Sequence, residues 1–179
     1  MTQEFLPLLV AHSDRNRVKS RVVNVASWAG LMSAPYIPFY NASKFAVIGL
    51  TESMFYDLRL LGVHAVLAIP GTTKTPMLGK TTAEGAASLE AMPAGGRARY
   101  QQLFDHYAAL GASFADSPML ATPEKVAHKL YRIVERPKPR FKNHLTIDAS
   151  LVDTVLSRLP WRAKVAMNTR MYRLDRAPA

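Results

Sequence analysis

The sequence predicts an α/β fold built on a parallel sheet, and three adjacent segments carry that prediction. Residues 21–26 and 64–69 are short apolar runs with the length of strands that are covered on both faces. Between them, residues 39–61 place apolar side chains at helical spacing, and Gly62 stands where a C-cap glycine is expected. A strand, a long helix and a second strand in this order form a βαβ unit, whose strands run parallel through a right-handed crossover.

The structure of the segments on either side of this unit is predicted from shorter patterns. Residues 2–12 indicate the end of a helix in which Pro7 occupies a kink. Residues 76–121 are rich in Ala, Gly and Met, and they predict a mobile lid with helices near 82–91 and 97–110.

A further helix and a third strand are predicted beyond the lid. Thr122 is a candidate N-cap, and Pro123 takes the first helical position of an amphipathic helix that ends at Pro137. Residues 144–149 are predicted as a third strand.

The chain ends in a basic segment. Residues 150–174 predict a basic amphipathic helix interrupted at Pro160, so we divide the chain into a main part, 1–149, and a tail, 150–179. The formal net charge is +10, and much of it lies in the last third of the sequence. Three interpretations stay open: a solvated helical face, a patch for anionic lipid or nucleic acid, or a surface suited to anionic substrates. No RNA- or DNA-binding motif accompanies the charge, so we expect no nucleic-acid partner.

Composition narrows the class of protein. A chain of 179 residues with 49% hydrophobic content suits one globular domain. It has no cysteine, which excludes disulfides, thiolate metal sites and cysteine nucleophiles and suits a reducing cytoplasm. Its histidines lack metal-ligand spacing, its start lacks a basic signal region, and no apolar run is long enough to span a bilayer. We expect a soluble cytoplasmic protein without a metal site.

Two residues of the long helix form a pair with a chemical use. Tyr40 and Lys44 are four residues apart and therefore project from the same helical face. A free phenol is a poor acid–base group at neutral pH, but a nearby ammonium favours its ionised form. Such a tyrosine can move a proton to or from a substrate oxygen. The spacing alone is weak support, because an exposed surface pair gives the same pattern.

Residues at the ends of both predicted strands are expected to lie near this pair. Ser27 follows the first strand, and Pro70-Gly71 closes the second, which places residues 72–75 at the same rim. In open α/β sheets, ligands bind in the crevice outside the carboxyl ends of the strands. The three elements are therefore expected to converge on one site.

Three stretches, in this order and at this spacing, resemble the second half of the classical short-chain dehydrogenase/reductase family. They are Val22-Val23-Asn24-Val25-Ala26-Ser27-Trp28-Ala29-Gly30, Tyr40-Asn41-Ala42-Ser43-Lys44-Phe45-Ala46-Val47 and Pro70-Gly71-Thr72-Thr73-Lys74-Thr75-Pro76-Met77. The resemblance is closest over residues 2–77 and continues more loosely to residue 149. It implies a Rossmann-like, doubly wound parallel sheet of which this chain carries the last strands and helices.

The resemblance also implies a role for each matching residue. Tyr40 looks like the proton donor or acceptor, and Lys44 resembles the residue that favours ionisation of this tyrosine and hydrogen-bonds the nicotinamide ribose. Ser27 looks like the group that holds the substrate oxygen. The segment that packs on the nicotinamide ring and bonds its carboxamide is matched by Pro70, Gly71, Thr73 and Thr75.

The family's glycine-rich cofactor turn is expected to lie upstream of Met1, because Met1-Thr2-Gln3 corresponds to the middle of a family helix. Two hypotheses follow. The first is an oxidoreductase that uses NAD or NADP to interconvert a secondary alcohol and a ketone. The alternative is a truncated, non-catalytic remnant that cannot bind dinucleotide by itself.

Partners are inferred on the same basis. The expected substrate is a small-molecule alcohol or ketone of apolar character. The candidates for lining its pocket are Tyr36, Ile37, Met77 and residues 92–120. Family analogy implies a homo-oligomer for the full-length form. Contact of the basic terminal helix with a membrane surface is a less favoured alternative.

Overall fold

Helices and short parallel strands alternate along the chain. The computed structural model describes residues 2–115, 120–172 and 174. The elements are, in chain order, α1 (Thr2–Arg15), β1 (Arg21–Val25), α2 (Pro38–Leu60), β2 (His64–Ile69), α3 (Met77–Glu90), α4 (Ala94–Ala115), α5 (Pro123–Glu135), β3 (Lys142–His144), α6 (Ile147–Thr154) and α7 (Trp161–Met171).

The described strands form one parallel sheet in the order β1-β2-β3. In its register, Val23 pairs with Val66 and Ala68 pairs with Asn143. The central strand β2 is buried along nearly its whole length, as predicted. β1 is only half-buried and Val25 is 45% exposed. Val22 and Val23, which point to opposite faces, nevertheless pack against apolar clusters on the two sides of the sheet. β1 has one neighbouring strand among the described residues, which leaves its other edge uncovered.

Alternation along β2 supplies two apolar layers, one on each face of the sheet. Leu67 and Ile69 pack with Ile48 of α2 on one side. Val66 and Ala68 pack with Ile133 of α5 on the other. Successive side chains of a strand point to opposite faces, so a fully apolar strand must be covered twice. Burying each of the Val, Leu and Ile side chains in these layers contributes about 1.5–3 kcal/mol, and this fixes α2 and α5 against opposite faces.

The predicted βαβ unit is confirmed, while the third strand was misplaced. β3 covers Lys142–His144, and the remainder of the segment predicted as strand, 145–149, leads into α6. The Thr146 hydroxyl accepts a hydrogen bond from the backbone N–H of Ala149, which starts a helix. Thr146 and Ile147 are β-branched and imitate a strand, but the capping hydrogen bond determines the local structure.

Several helix bounds also differ from the prediction. α1 continues through Ser13 to Arg15 and contains Pro7. Helices α3 and α4 are longer than the predicted 82–91 and 97–110, and the interruption predicted at Pro160 separates α6 from α7.

The chain divides into two compact units. The first comprises Met1–Thr72 and Glu124–Arg158, and it holds the sheet with α1, α2, α6 and nearly all of α5. The second comprises Thr73–Pro123 and Leu159–Ala179 and is helical, with α3, α4 and α7.

Candidate active site

The Tyr40 and Lys44 side chains lie together on α2. The Lys44 ammonium lies 5.5 Å from the centroid of the Tyr40 ring. It also donates a hydrogen bond of 3.2 Å to the backbone carbonyl of Val25, the last residue of β1. Both side chains are half-buried. The lysine is thereby tied to the carboxyl end of a strand while it lies over the phenol.

Close packing of small residues allows the β1 loop to approach α2. Gly30 lies in a short 3-10 turn, Trp28–Gly30, and is buried. A Cβ at Gly30 would lie 2.5 Å from the backbone oxygen of Lys44, which is backbone and cannot move aside cheaply. Glycine is therefore required at this position, and the loop after β1 is seated directly on the helical turn that carries Lys44.

Ser27 is the N-cap of that 3-10 turn. Its hydroxyl oxygen accepts a hydrogen bond of 3.3 Å from the backbone N–H of Ala29. Ser27 is only 6% exposed, so its orientation is set by the packed loop. Because this hydrogen bond uses the oxygen as acceptor, the hydroxyl hydrogen is left to donate elsewhere.

Backbone hydrogen bonds join this loop to the end of β2. The N–H of Ala26 donates to the carbonyl of Ala68 at 2.9 Å, and the N–H of Trp28 donates to the carbonyl of Pro70 at 3.1 Å. The ladder between the two strands thus continues past their ends. Ser27 and the Pro70 turn are held at the same carboxyl rim of the sheet.

Asp148 is a residue of this rim that the sequence analysis missed. Its carboxylate accepts a hydrogen bond of 2.7 Å from the backbone N–H of Thr72. A Cβ at Gly71 would lie 2.1 Å from the Asp148 carboxylate, so the two fit together only because Gly71 has no side chain. Asp148 lies in the first turn of α6, a segment we had predicted as strand. An acidic residue two positions after the capping Thr146 was the signal that could have found it.

The predicted site residues are not all in the same unit. Ser27, Tyr40, Lys44, Pro70 and Gly71 belong to the first unit. The other two predicted cofactor contacts belong to the second unit, namely Thr73, which forms an isolated bridge with Ala121, and Thr75.

A cavity of about 610 Å³ lies beside the first turns of α2. It is lined by Tyr36, Asn41 and Phe45 among others, and not by Tyr40 or Lys44. The buried Asn41 amide donates to the carbonyl of Ala34 at 2.7 Å and so fixes the loop before α2. Tyr36 has a φ of 70°, in the left-handed region, and burial raises the pKa of its hydroxyl.

The other candidates for an apolar pocket fall outside this cavity. Ile37 and Met77 do not line it, and positions 116–119 of the predicted 92–120 lining lie outside the described residues. Over the ranges that the structure describes, no group of three or more His, Cys, Asp or Glu side chains could hold a metal ion. Within those same ranges, no helix combines the length and apolarity needed to cross a membrane.

The amino-acid sequence is similar to those of known proteins. The family model described as short chain dehydrogenase matches residues 1–86. The mouse protein 17-beta-hydroxysteroid dehydrogenase type 1 is 34% identical over 142 residues, which are 79% of this chain and 38% of that protein. The NADPH-dependent 3-dehydrocapnine reductase of Ornithobacterium rhinotracheale is 35% identical over 85 residues, 48% of this chain and 30% of that protein. The chain thus spans well under half the length of these relatives.

Two solved structures share the fold. A short-chain dehydrogenase from Streptomyces avermitilis matches with a TM-score of 0.58 and 16% identity, over 99% of this chain and 57% of that one. A short chain dehydrogenase/reductase from Burkholderia phymatum, solved in complex with NAD, matches with a TM-score of 0.55 and 23% identity, over 99% and 55%. At these identities the likeness establishes the α/β architecture alone.

Proposed function

This chain belongs to the short-chain dehydrogenase/reductase family, and we propose that it carries the proton-transfer site of an oxidoreductase that interconverts a secondary alcohol and a ketone. The observation that carries the proposal is the position of Lys44. Its ammonium lies over the Tyr40 ring and is hydrogen-bonded to the end of β1, beside the loop that holds Ser27. A Tyr–Lys pair that only lies on a solvated helix surface would not be expected to form a hydrogen bond to the end of a strand.

Tyr40 is the proposed acid–base residue. In reduction its hydroxyl gives a proton to the carbonyl oxygen, and in oxidation its phenolate takes the proton of the substrate hydroxyl. Lys44 holds a positive charge over the Tyr40 ring, and its hydrogen bond to the Val25 carbonyl fixes the position of that charge. Lys44 has further N–H donors, which suit the ribose hydroxyls of a nucleotide.

Ser27 is the proposed anchor for the substrate oxygen. Its hydroxyl oxygen is occupied by the Ala29 N–H, so it would act as donor towards a carbonyl or hydroxyl oxygen of the substrate. A rigid, buried anchor limits the orientations in which that oxygen can meet Tyr40, and such positioning lowers the entropic cost of the reaction.

The described residues fit one end of a nicotinamide dinucleotide. Pro70 and Gly71 follow the buried strand β2, where Asp148 accepts a hydrogen bond from the Thr72 N–H and its carboxylate fills the space beside Gly71. We propose that these residues and Lys44 hold the nicotinamide and its ribose. For Thr73 and Thr75, bonding of the carboxamide stays an expectation from the family resemblance. When bound, the dinucleotide supplies or accepts a hydride. Neither loop that follows β1 or β2 carries a Gly-x-x-x-Gly-x-Gly turn, so these loops supply no phosphate cradle. NAD and NADP remain equal candidates.

An apolar substrate is proposed on a separate ground. Among the relatives are enzymes named for hydroxysteroids, which are large apolar alcohols. In this chain Tyr36, Ala34 and Phe45 line a partly apolar cavity next to the first turns of α2. Homo-oligomer formation and the absence of a nucleic-acid partner remain proposals from family analogy and from the lack of a binding motif.

One experiment tests the proposal and separates it from the non-catalytic alternative. The complete product of the reading frame that encodes this sequence is titrated with NADH and NADPH, and cofactor oxidation is then followed with a panel of apolar ketones. Saturable binding and ketone-dependent oxidation are expected. Absence of binding to either dinucleotide would favour a non-catalytic chain, while binding without oxidation of any ketone would reject the proposed reaction.

A further inference from the structure

A second cavity of the first unit lies away from the Tyr40 site. It has a volume of about 520 Å³ and is formed by α5, the segment that follows it, β3 and the start of α6. None of Ser27, Tyr40, Lys44 or Pro70 lines it. Its size lies within the range of small-molecule sites. The cavity is therefore separate from the proposed proton-transfer site.

Its lining is strongly cationic. Five Lys and Arg side chains from two successive parts of the chain contribute to it, and no Asp or Glu does. They are Lys129, Arg132, Arg136, Arg140 and Lys142. α5 supplies the first two from one helical face, and the segment from Arg136 to β3 brings the others to the same cavity. Cations that meet from different elements repel one another, which costs stability unless an anion compensates.

Little compensation is found among the described residues. Lys142 pairs with Asp153 at 3.2 Å. No ion pair is formed by Lys129, Arg132, Arg136 or Arg140 with any other residue that the structure describes. Lys129, Arg132, Arg136 and Arg140 are exposed towards solvent, so they are available to a ligand. An unpaired set of guanidinium groups suits phosphate, because each presents a planar fork of N–H donors.

The remaining walls add polar donors and an apolar floor. Asn143, Thr146 and Ser150 contribute polar side chains, and the buried Ile133 and Leu145 contribute apolar surface. Thr146 caps α6, so the N-terminal end of this eight-residue helix adds positive potential at the rim. The first-turn carboxylate of α6, Asp148, does not line the cavity and is already hydrogen-bonded to Thr72.

We propose that this cavity is a binding site for a small phosphorylated ligand with at least two negative charges, separate from the dinucleotide. The unpaired cations, the volume of the open cavity and the N-terminal end of α6 all favour a compact anion. A free phosphorylated metabolite and a phospholipid headgroup share this chemistry. The site would either hold a phosphorylated portion of a substrate or bring the protein to an anionic surface.

The test uses sodium pyrophosphate as probe and the full chain, at constant ionic strength. Saturable 1:1 binding by calorimetry is expected, with NMR amide shifts confined to residues 129–150. Arg136→Gln and Arg140→Gln are each expected to weaken binding roughly tenfold. The side chains of Arg136 and Arg140 are exposed. Arg21 donates to the backbone oxygen of Arg136, and a substitution of the Arg136 side chain keeps that oxygen, so the variants should fold. Circular dichroism verifies this.

Arg162→Gln is the matched control, because it removes the same charge from an exposed site on α7. It should change pyrophosphate affinity by less than roughly twofold. Equal weakening in all three variants would show diffuse attraction to a basic protein and would overturn the proposal. So would the absence of saturation.

Vesicles distinguish the two sources of phosphate. If the ligand is a lipid headgroup, the chain sediments with phosphatidylglycerol vesicles and not with phosphatidylcholine vesicles, and pyrophosphate releases it. If the ligand is a free metabolite, pyrophosphate binds while neither vesicle sediments the chain. Vesicle binding that pyrophosphate does not displace, and that Arg136→Gln does not weaken, would contradict the site.

Discussion

The carboxylate of Asp148 accepts a hydrogen bond of 2.7 Å from the backbone N–H of Thr72, 76 residues earlier in the chain. This contact joins the first turn of α6 to the turn that follows β2. The adjacent Gly71 leaves room for the carboxylate. The contact therefore fixes the turn on which we propose the nicotinamide ring packs.

Asp148→Ala tests how much this contact stabilises the first unit. Removal of a charged acceptor from a backbone N–H should lower the free energy of unfolding by about 1.5–3 kcal/mol. Gly71→Ala should also destabilise, because its new Cβ meets the carboxylate. Urea unfolding of both single variants and the double variant measures the coupling. Gly71→Ala should cost less in the Asp148→Ala background, and strictly additive losses would show that the two residues do not interact.

A pair of glycines in the same βαβ unit provides a matched test of packing. Gly30→Ala should destabilise by about 1–3 kcal/mol, because its Cβ would meet the backbone of Lys44. Gly49→Ala has open space around it in the middle of α2, and it should stabilise by about 0.5–1 kcal/mol through helix propensity. Thermal and urea unfolding report both effects. Equal effects of the two substitutions would contradict the described contact between the β1 loop and α2.

A polar link between β1 and α2 predicts the effect of Thr51→Val. The fully buried Thr51 hydroxyl accepts from the Asn24 side chain at 3.0 Å and donates to the carbonyl of Val47 at 2.6 Å. The isosteric valine removes both bonds and leaves the Asn24 amide without its oxygen partner, at a cost of about 1–3 kcal/mol. The exposed Thr154→Val is the control, with an expected change below about 0.5 kcal/mol. A similar loss in both variants would argue against the link.

His64 predicts a pH dependence of stability. Burial lowers the pKa of its imidazole, and the positive charges of Arg21 and Lys19 lower it further. The unfolded chain therefore binds the proton more readily than the folded protein, so stability falls as the pH drops through the ordinary histidine value of about 6.5. Urea unfolding at pH 8 and pH 5 should show this loss, and His64→Gln should reduce it. The exposed His128→Gln serves as control, and an unchanged pH dependence in His64→Gln would refute the assignment.

Local patterns in the sequence were enough to predict the elements that position the site. α2 and β2 were found because their apolar spacing and the glycine and proline residues at their ends act within a few residues. Gly62, with a φ of 67°, ends α2 as expected of a C-cap glycine. The pairing of Tyr40 with Lys44 followed from helical spacing alone.

Contacts between distant segments could not be predicted in this way. The bond from Lys44 to Val25 depends on how closely α2 approaches β1, which Gly30 determines through tertiary packing. The bond from Thr72 to Asp148 requires that a helix begins where β-branched residues suggested a strand. A single capping hydrogen bond outweighed that local preference, so the contact between Asp148 and the turn after Pro70 was not predicted, although an acid two positions after Thr146 is typical of a helix start.

Turnover by Tyr40→Phe is the most direct test of the proton-transfer site. In the complete product of the reading frame, this variant should lose roughly 10²–10⁴-fold in kcat, because the ring is kept while the proton donor is removed. Tyr56→Phe, a substitution at a 70% exposed position of the same helix, should leave kcat unchanged. Dinucleotide binding and the free energy of unfolding should match the unsubstituted protein in both variants. A Tyr40→Phe protein that retains full turnover would contradict the account.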